Sequence, residues 1–359
     1  MRSSRKVAII GTGGIAGTHV AAIRAQTGAA QLVAAVDVDA TQLRSFCDEH
    51  GIAGYMDVRE MLDQEGPDVV CVATPPAAHA DLSVLCMEHG AWVLCEKPLC
   101  ASLEELDRIV AAERRTGQRC ASVFQWRFGS AGQHLKGLIE REELGRPLVG
   151  LCQTTWFRSQ DYYDKPWRGR WDTELGGASM GHGIHAMDLF LWLMGEWSEV
   201  SAMLGTLDRA IQVEDCSVAV VRFASGALGS VVNSVLSPHE ETFVRLDFQR
   251  ATAEVRALYY YTNGHWTFTP APGANGDAWQ IPADESSSHG AQLRSLLVSM
   301  ERGVPPPAGT ADVRSTFEFL SSLYRSAAEG RPVHRGEIVP GDPFYAHVAG
   351  TLAQSSRAS

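Results

Sequence analysis

Within the stretch GGASMGHGIHAMD, residues 176–188, His182, His185 and Asp188 recur at three-residue intervals just before an apolar run. Metal ligation, acid–base chemistry and plain packing all use such residues. On a helix, residues three apart share a face, so His182 and His185 are neighbours, while Asp188 drifts about 60° from His182. The pattern is neither His-Glu-x-x-His nor a two-histidine, one-carboxylate set with evident partners, so no metal is expected. Imidazole titrates near neutrality, which suits His185 to moving a hydroxyl proton. Asp188 reads as structural support, and Leu189, Trp192 and Leu193 as core.

The elements that would position such chemistry begin at the N-terminus. Residues 6–10, KVAII, form a short apolar run that ends in Gly11-Thr12-Gly13-Gly14-Ile15-Ala16, after which the pattern turns helical through His19, Val20 and Ile23. This is a strand, a tight loop and a helix with the spacing G-x-G-x-x-A. Gly11 permits the turn, Gly13 lets a pyrophosphate approach the backbone, and Ala16 allows close helix packing. A second strand run, QLVAAVD, ends in Asp37, where a ribose hydroxyl needs an acceptor. An acid there repels a 2′-phosphate and Arg44 lies too far along, so NAD is favoured, with NADP kept open.

Strand and helix patterns continue to alternate through DVVCVA (68–73), a helix ending near Gly90, and AWVLC (91–95). Alternation of this kind implies a parallel sheet whose ligands sit at the carboxyl ends of its strands. Thr74 and Lys97 occupy two such ends. A cation beside a nicotinamide pocket can bond a substrate hydroxyl and stabilise alkoxide charge, and Pro98 restricts the backbone that aims Lys97. From position alone, a surface lysine after a strand is an equal alternative.

The glycine loop, Thr74-Pro75-Pro76 with His79, and Glu96-Lys97-Pro98-Leu99 together resemble the Gfo/Idh/MocA family of NAD(P)-dependent oxidoreductases. Further matches are Gln125-Trp126-Arg127-Phe128, Leu144-Gly145-Arg146-Pro147, Pro166-Trp167-Arg168-Gly169, the segment holding His185 and Asp188, and Glu214-Asp215. The resemblance implies an α/β Rossmann domain with a parallel doubly wound sheet, then an α+β domain with a large open, mainly antiparallel sheet. It implies a secondary alcohol of a sugar or cyclitol as substrate, with Lys97 and His185 facing it. By the same matching, Thr74, Pro75, His79, Glu96, Lys97, Gln125, Trp167 and Arg168 join Gly11, Thr12, Gly13, Gly14, Ile15 and Asp37 as cofactor-side residues. In the implied chemistry Lys97 stabilises the alkoxide and His185 takes the proton. The family commonly places Asp or Asn four residues before this histidine; here the residue is Gly181. His182, or an acid among Asp161, Asp164 and Asp172, would stand in, or Gly181 makes room for a bulkier substrate.

Beyond residue 125 the pattern changes to period two, as in Val244, Leu246 and Phe248, or Ala253, Val255, Ala257 and Tyr259, which marks half-buried antiparallel strands. An open sheet face of that size suits a subunit interface, so a homo-oligomer is expected. The segment from Arg158 to Trp171 is dense in aromatic and hydrogen-bonding side chains, and Arg158, Tyr162 and Tyr163 join Gly181 and His182 as substrate-side candidates. A loop pinned by its aromatics is the plainer alternative. Residues 264–288 read as an irregular excursion, followed by helices from about Ala291 to Gly303 and Asp312 to Gly330. The expected boundaries are 1–125, 126–350, and a loose tail at 351–359.

The chain's 359 residues leave room for two cores. A formal charge of −11 argues against a nucleic-acid surface, and no apolar run approaches the ~18 residues a membrane span needs. The eight cysteines form no C-x-x-C pair, which suits reduced, packed thiols in a cytoplasmic protein. Besides the dehydrogenase or reductase reading, a non-catalytic sensor of NAD(H) or sugar and a glycoside-cleaving enzyme that uses NAD transiently remain open.

Overall fold

The computed structural model describes residues 4–276, 279–281 and 284–355. It divides the chain into two compact units: Met1–Val123 with Ser288–Arg314, and Phe124–Ser287 with Ser315–Ser359.

In the first unit, β1 (Arg5–Ile10), α1 (Ala16–Arg24), β2 (Ala30–Val36), α2 (Ala40–His50), β3 (Ala53–Tyr55) and α3 (Val58–Glu65) are followed by β4 (Val69–Val72), α4 (His79–Glu88), β5 (Trp92–Cys95), α5 (Leu103–Thr116) and β6 (Cys120–Ser122). The sheet order β3-β2-β1-β4-β5-β6, with every pairing parallel, is the doubly wound order expected from the sequence. Both faces of β4 are buried, which explains its unbroken apolar run. The helix boundaries follow from local chemistry. Asp39, Asp57 and Ser102 accept N–H bonds from the first turns of α2, α3 and α5, and Gly51, Gly66 and Gly117 end those helices in the left-handed region.

The second unit carries α6 (Ser130–Glu140), β7 (Pro147–Phe157), α7 (Ile184–Met194), β8 (Trp197–Gly205), β9 (Cys216–Phe223), β10 (Leu228–Ser234), β11 (Leu236–Phe248), β12 (Ala251–Ala257) and β13 (Trp266–Pro270). Its sheet runs β13-β12-β11-β7-β10-β9-β8-β14, where β14 is Val333–His334. Only β7 and β10 pair in parallel, so the sheet is mixed and mainly antiparallel. The apolar helix α7 packs on its inner face: Phe190 lies against Gly150 of β7 and Gly229 of β10, where any side chain would collide with its ring.

Three features depart from the sequence expectations. Trp266–Pro270, inside the supposed irregular excursion, is a strand paired with β12. Of the tail expected to be loose, Leu352–Ser355 is helical, and 356–359 lie outside the described residues. Most consequentially, the first unit takes back Ser288–Arg314. Within it α8 (His289–Arg302), capped by Ser288 and stopped by Gly303, packs Leu293, Leu296 and Leu297 into one core with Val20, Ile23, Val69 and Val123. The continuous boundary near residue 125 missed this return because the periodicity of a helix reveals its buried face and not the sheet beneath it. The helix α9 (Thr310–Glu329) follows, and its residues from Ser315 onward belong to the second unit.

If α8 is a core element of the first unit, Leu296→Ala should destabilise that unit by about 2–5 kcal/mol, since Leu296 is only 2% exposed. Thermal unfolding followed by circular dichroism checks this; a shift no larger than a surface substitution gives would refute it.

Candidate functional site

The first unit presents its candidate residues at the carboxyl ends of β1, β2, β4 and β5. Gly11 has φ +94°, and a Cβ there would lie 2.7 Å from the Ala73 carbonyl oxygen, so the turn requires glycine. At Gly13 and Gly14 a Cβ would meet nothing within 4 Å, which leaves open space above the loop. The helix α1 begins there without a side-chain cap or an acid in its first turn. Its leading N–H groups therefore suit an anion.

Asp37 follows β2. Its Oδ2 accepts from the Thr12 N–H (2.7 Å), the Thr12 hydroxyl (2.7 Å) and the Gln42 amide (3.0 Å), and its Oδ1 accepts from the Asp39 N–H (3.0 Å). Burial would raise its pKa, but these bonds outweigh burial and lower it. The carboxylate thus stays ionised beside the glycine loop, held by uncharged donors. At the end of β4, the Thr74 Oγ1 is buried with no hydrogen-bond partner among the described residues. An open glycine cradle, an uncapped helix start, a fixed carboxylate and an orphaned hydroxyl are what a dinucleotide needs, so the residues fit NAD.

His79 and Glu96, two of the cofactor-side candidates, are tied into the protein itself. The His79 ring nitrogens lie 2.7 Å from the Pro98 carbonyl oxygen and 2.8 Å from the Thr74 carbonyl oxygen, so the ring sits between the segments that follow β4 and β5. Burial lowers its pKa. Pro75 is exposed in this loop, and Lys97 is half-buried at the end of β5, joined to Pro98 by a cis peptide.

Glu96 is 7% exposed, and its Oε1 accepts from both His19 Nε2 and His289 Nε2 at 3.0 Å. These three atoms lie close enough to ligate a metal ion. Their mutual hydrogen bonds nevertheless account for the arrangement, with a buried carboxylate satisfied by two donors. Burial opposes charge on both His19 and Glu96. On His19, Cys71 and Glu96 outweigh it and raise the imidazole to about 9. On Glu96, the bonds from His19 and His289 outweigh it and hold the carboxyl well below its usual range.

In the second unit the residues before α7 form a π-helical turn, Ala178–Gly183. Such turns concentrate at functional sites. His182 is 7% and His185 4% exposed. Arg158 Nε donates to His182 Nε2 (3.2 Å), so that nitrogen is an acceptor and the His182 proton sits on Nδ1. His185 lies edge-on to Tyr259, with ring centroids 5.7 Å apart. Tyr162 packs on His182, and the Arg168 guanidinium lies over the Tyr162 and Trp167 rings. Arg158, Tyr162, Arg168, Gly181 and His182 are thereby brought together. Tyr163, in contrast, packs into a small core with Ala178 and Val235, so its ring supports this turn from behind.

Asp188 takes the structural part read from the sequence. It is fully buried, accepts from Arg127 Nε (2.6 Å) and Nη2 (2.7 Å), and accepts a third bond from the Thr316 hydroxyl (2.9 Å). Gln125 is fully buried, and neither atom of its amide has a partner among the described residues. Residues that the sequence did not single out are His19, His289 and Glu174. The first stood within the loop-to-helix pattern as an apolar-face residue, and the other two showed no local signal. Lys97 and His185 belong to different units.

Residues 5–124 match the family model described as the oxidoreductase family with an NAD-binding Rossmann fold, and residues 133–267 match the GFO/IDH/MocA C-terminal domain. The chain belongs to this family and is an NAD-dependent oxidoreductase. It is 27% identical to the D-apiose dehydrogenase of Paraburkholderia graminis over 91% of this chain and 89% of that one. It is 28% identical to the myo-inositol 2-dehydrogenase of Thermotoga maritima over 93% and 99% of the two chains. The WlbA dehydrogenase of Bordetella pertussis, solved with NADH and UDP-GlcNAcA, superposes with a TM-score of 0.82 at 26% identity, covering 92% of this chain and 98% of that one. Among the described residues, no helix is long and apolar enough to cross a membrane.

The raised His19 pKa has a defined pH consequence. Its contribution to stability is complete below the unfolded-state value of about 6.5 and is lost as pH rises through about 9. Melting temperature should therefore fall more steeply across that window in wild type than in His19→Gln. Parallel curves for the two proteins would refute the ion pair.

Proposed function

We propose that this protein transfers hydride between NAD and a secondary alcohol or ketone of a sugar, sugar derivative or cyclitol. The observation that carries the reading is the placement of Lys97 at the end of β5, in the same unit as the glycine loop and Asp37. The names of the D-apiose and myo-inositol dehydrogenases support this substrate class.

NAD supplies the hydride acceptor, or the donor in reverse, at its nicotinamide ring. The loop from Gly11 to Ile15 and the start of α1 would hold its pyrophosphate, and Asp37 its ribose hydroxyls. Thr74 and Gln125 offer the orphaned polar atoms that suit the rest of the cofactor. Lys97 bonds the substrate oxygen and stabilises the alkoxide charge that builds as the hydride leaves carbon. His185 takes the hydroxyl proton, so the alcohol loses one hydride and one proton and becomes a carbonyl. Reduction runs the same transfers backwards. The fixed charge of Asp37 opposes a 2′-phosphate, which favours NAD over NADP.

The outward face of the second unit's sheet carries an apolar stripe. Met203 is opposite Val218, and Leu151 and Val220 both flank Ser230. Met203, Val218 and Val220 are 79%, 47% and 59% exposed. A patch of this kind marks an association surface, and the proposal includes a homo-oligomer formed through it. Sedimentation of wild type against Val220→Glu reads this directly: a multimer that the charge breaks is expected, and a monomeric wild type rejects it.

Lys97→Ala should lower kcat by about 10²–10³-fold, and His185→Ala by about 10²–10⁴-fold, in both directions on a sugar and cyclitol panel. Mutants as active as wild type would remove the assigned roles. Glycoside cleavage without net NADH, or cofactor binding without turnover on any substrate, would move the reading to its alternatives.

A further inference from the structure

Position 181 lies one turn before His185 and has no side chain. A Cβ built there would meet a single atom within 4 Å, Glu174 Oε1 at 3.6 Å, so the space above it is otherwise open. Glu174 comes from the turn that precedes Gly176-Gly177, and it is 4% exposed. Its Oε2 accepts the Gly169 N–H (2.5 Å) and its Oε1 accepts from Arg168 Nη1 (3.1 Å). Arg168 is itself fixed by the Tyr162 hydroxyl and by stacking on Tyr162 and Trp167. A buried carboxylate held by a guanidinium and a backbone N–H is oriented, and a carboxylate oxygen can accept from more than one donor. Asp161, Asp164 and Asp172, the acids considered from the sequence, are exposed. The carboxylate that reaches position 181 comes from a residue the sequence reading passed over.

We propose that Glu174 is the substrate-binding carboxylate of this enzyme, reaching from the loop the place that a side chain at 181 would fill from the helix. Resting on the dehydrogenase reading, this assigns Glu174 Oε1 as the acceptor for a second hydroxyl of the polyol whose reacting hydroxyl meets His185. The ligand class is a polyhydroxylated, uncharged ring. A carboxylate accepts a hydroxyl hydrogen strongly and repels an anionic group at the same place. The glycine at 181 is then a requirement of the site, because an acid at both positions would set two like charges against each other.

The test uses the full-length enzyme with NAD and a panel containing myo-inositol and D-apiose. Glu174→Gln keeps the shape and removes the charge. It should lower kcat/KM by about 10–100-fold, mainly through KM. Gly181→Asp alone should also lose activity. Glu174→Ala with Gly181→Asp should regain at least about tenfold over Glu174→Ala alone, because the carboxylate returns to the same space from the other side. A role confined to bracing Arg168 and Gly169 predicts no such rescue. Glu174→Gln within threefold of wild type, or a double variant no better than Glu174→Ala, overturns the proposal while leaving the dehydrogenase reading intact. A wild type that turns over no member of the panel overturns that reading and this inference with it.

Discussion

The buried pair between Arg127 and Asp188 is the constraint on which the histidine-bearing wall depends. Removing two charges from water is costly, and geometry must compensate. Here two short parallel bonds and a third from Thr316 hold the carboxylate. A helix as apolar as α7 slides and rotates easily on an apolar sheet, since hydrophobic contact is not directional. One fixed ion pair removes that freedom. The position of His185, one turn earlier on the same helix, follows from where Asp188 is held. Leaving either partner without the other would strand a charge in the core.

The first unit uses the same device at a different place. Glu96 is adjacent to Lys97, and its carboxylate is gripped by His19 of α1 and His289 of α8. The helix α1 that follows the glycine loop is therefore bonded to the residue next to Lys97 at the strand end. The loop and Lys97 are set by a common anchor. His79 packs between the Thr74 and Pro98 carbonyls, beside this anchor. Residues matched to the cofactor by resemblance thus also act within the protein, holding in place the residues beside them.

Much of this was legible in the chain because it is local. The glycine loop, the acid ending β2, the lysine ending β5 and the capped helices are each written within a few neighbouring residues. What was illegible is non-local. Glu96 finds His289 across 193 positions, and nothing near either residue announces the other. The loop holding Glu174 has no periodicity, so spacing could not separate its buried acid from the exposed aspartates around it. The strand β13 was hidden by the glycines and prolines that flank it. The π-helical turn was likewise unreadable, because a helical pattern does not encode one extra residue per turn.

The return of Ser288–Arg314 to the first unit has a consequence for the order in which the protein comes into being. During synthesis the N-terminal sheet leaves the ribosome first, and chains tend to fold domain by domain in that order. Here the parallel sheet emerges without α8, and Glu96 waits for His289 until the intervening Phe124–Ser287 has been made. The nascent first unit must carry an uncovered apolar patch through most of translation. Most of the second unit, Phe124–Ser287, is made before the first can close, and its remaining piece, Ser315–Ser359, follows only afterwards.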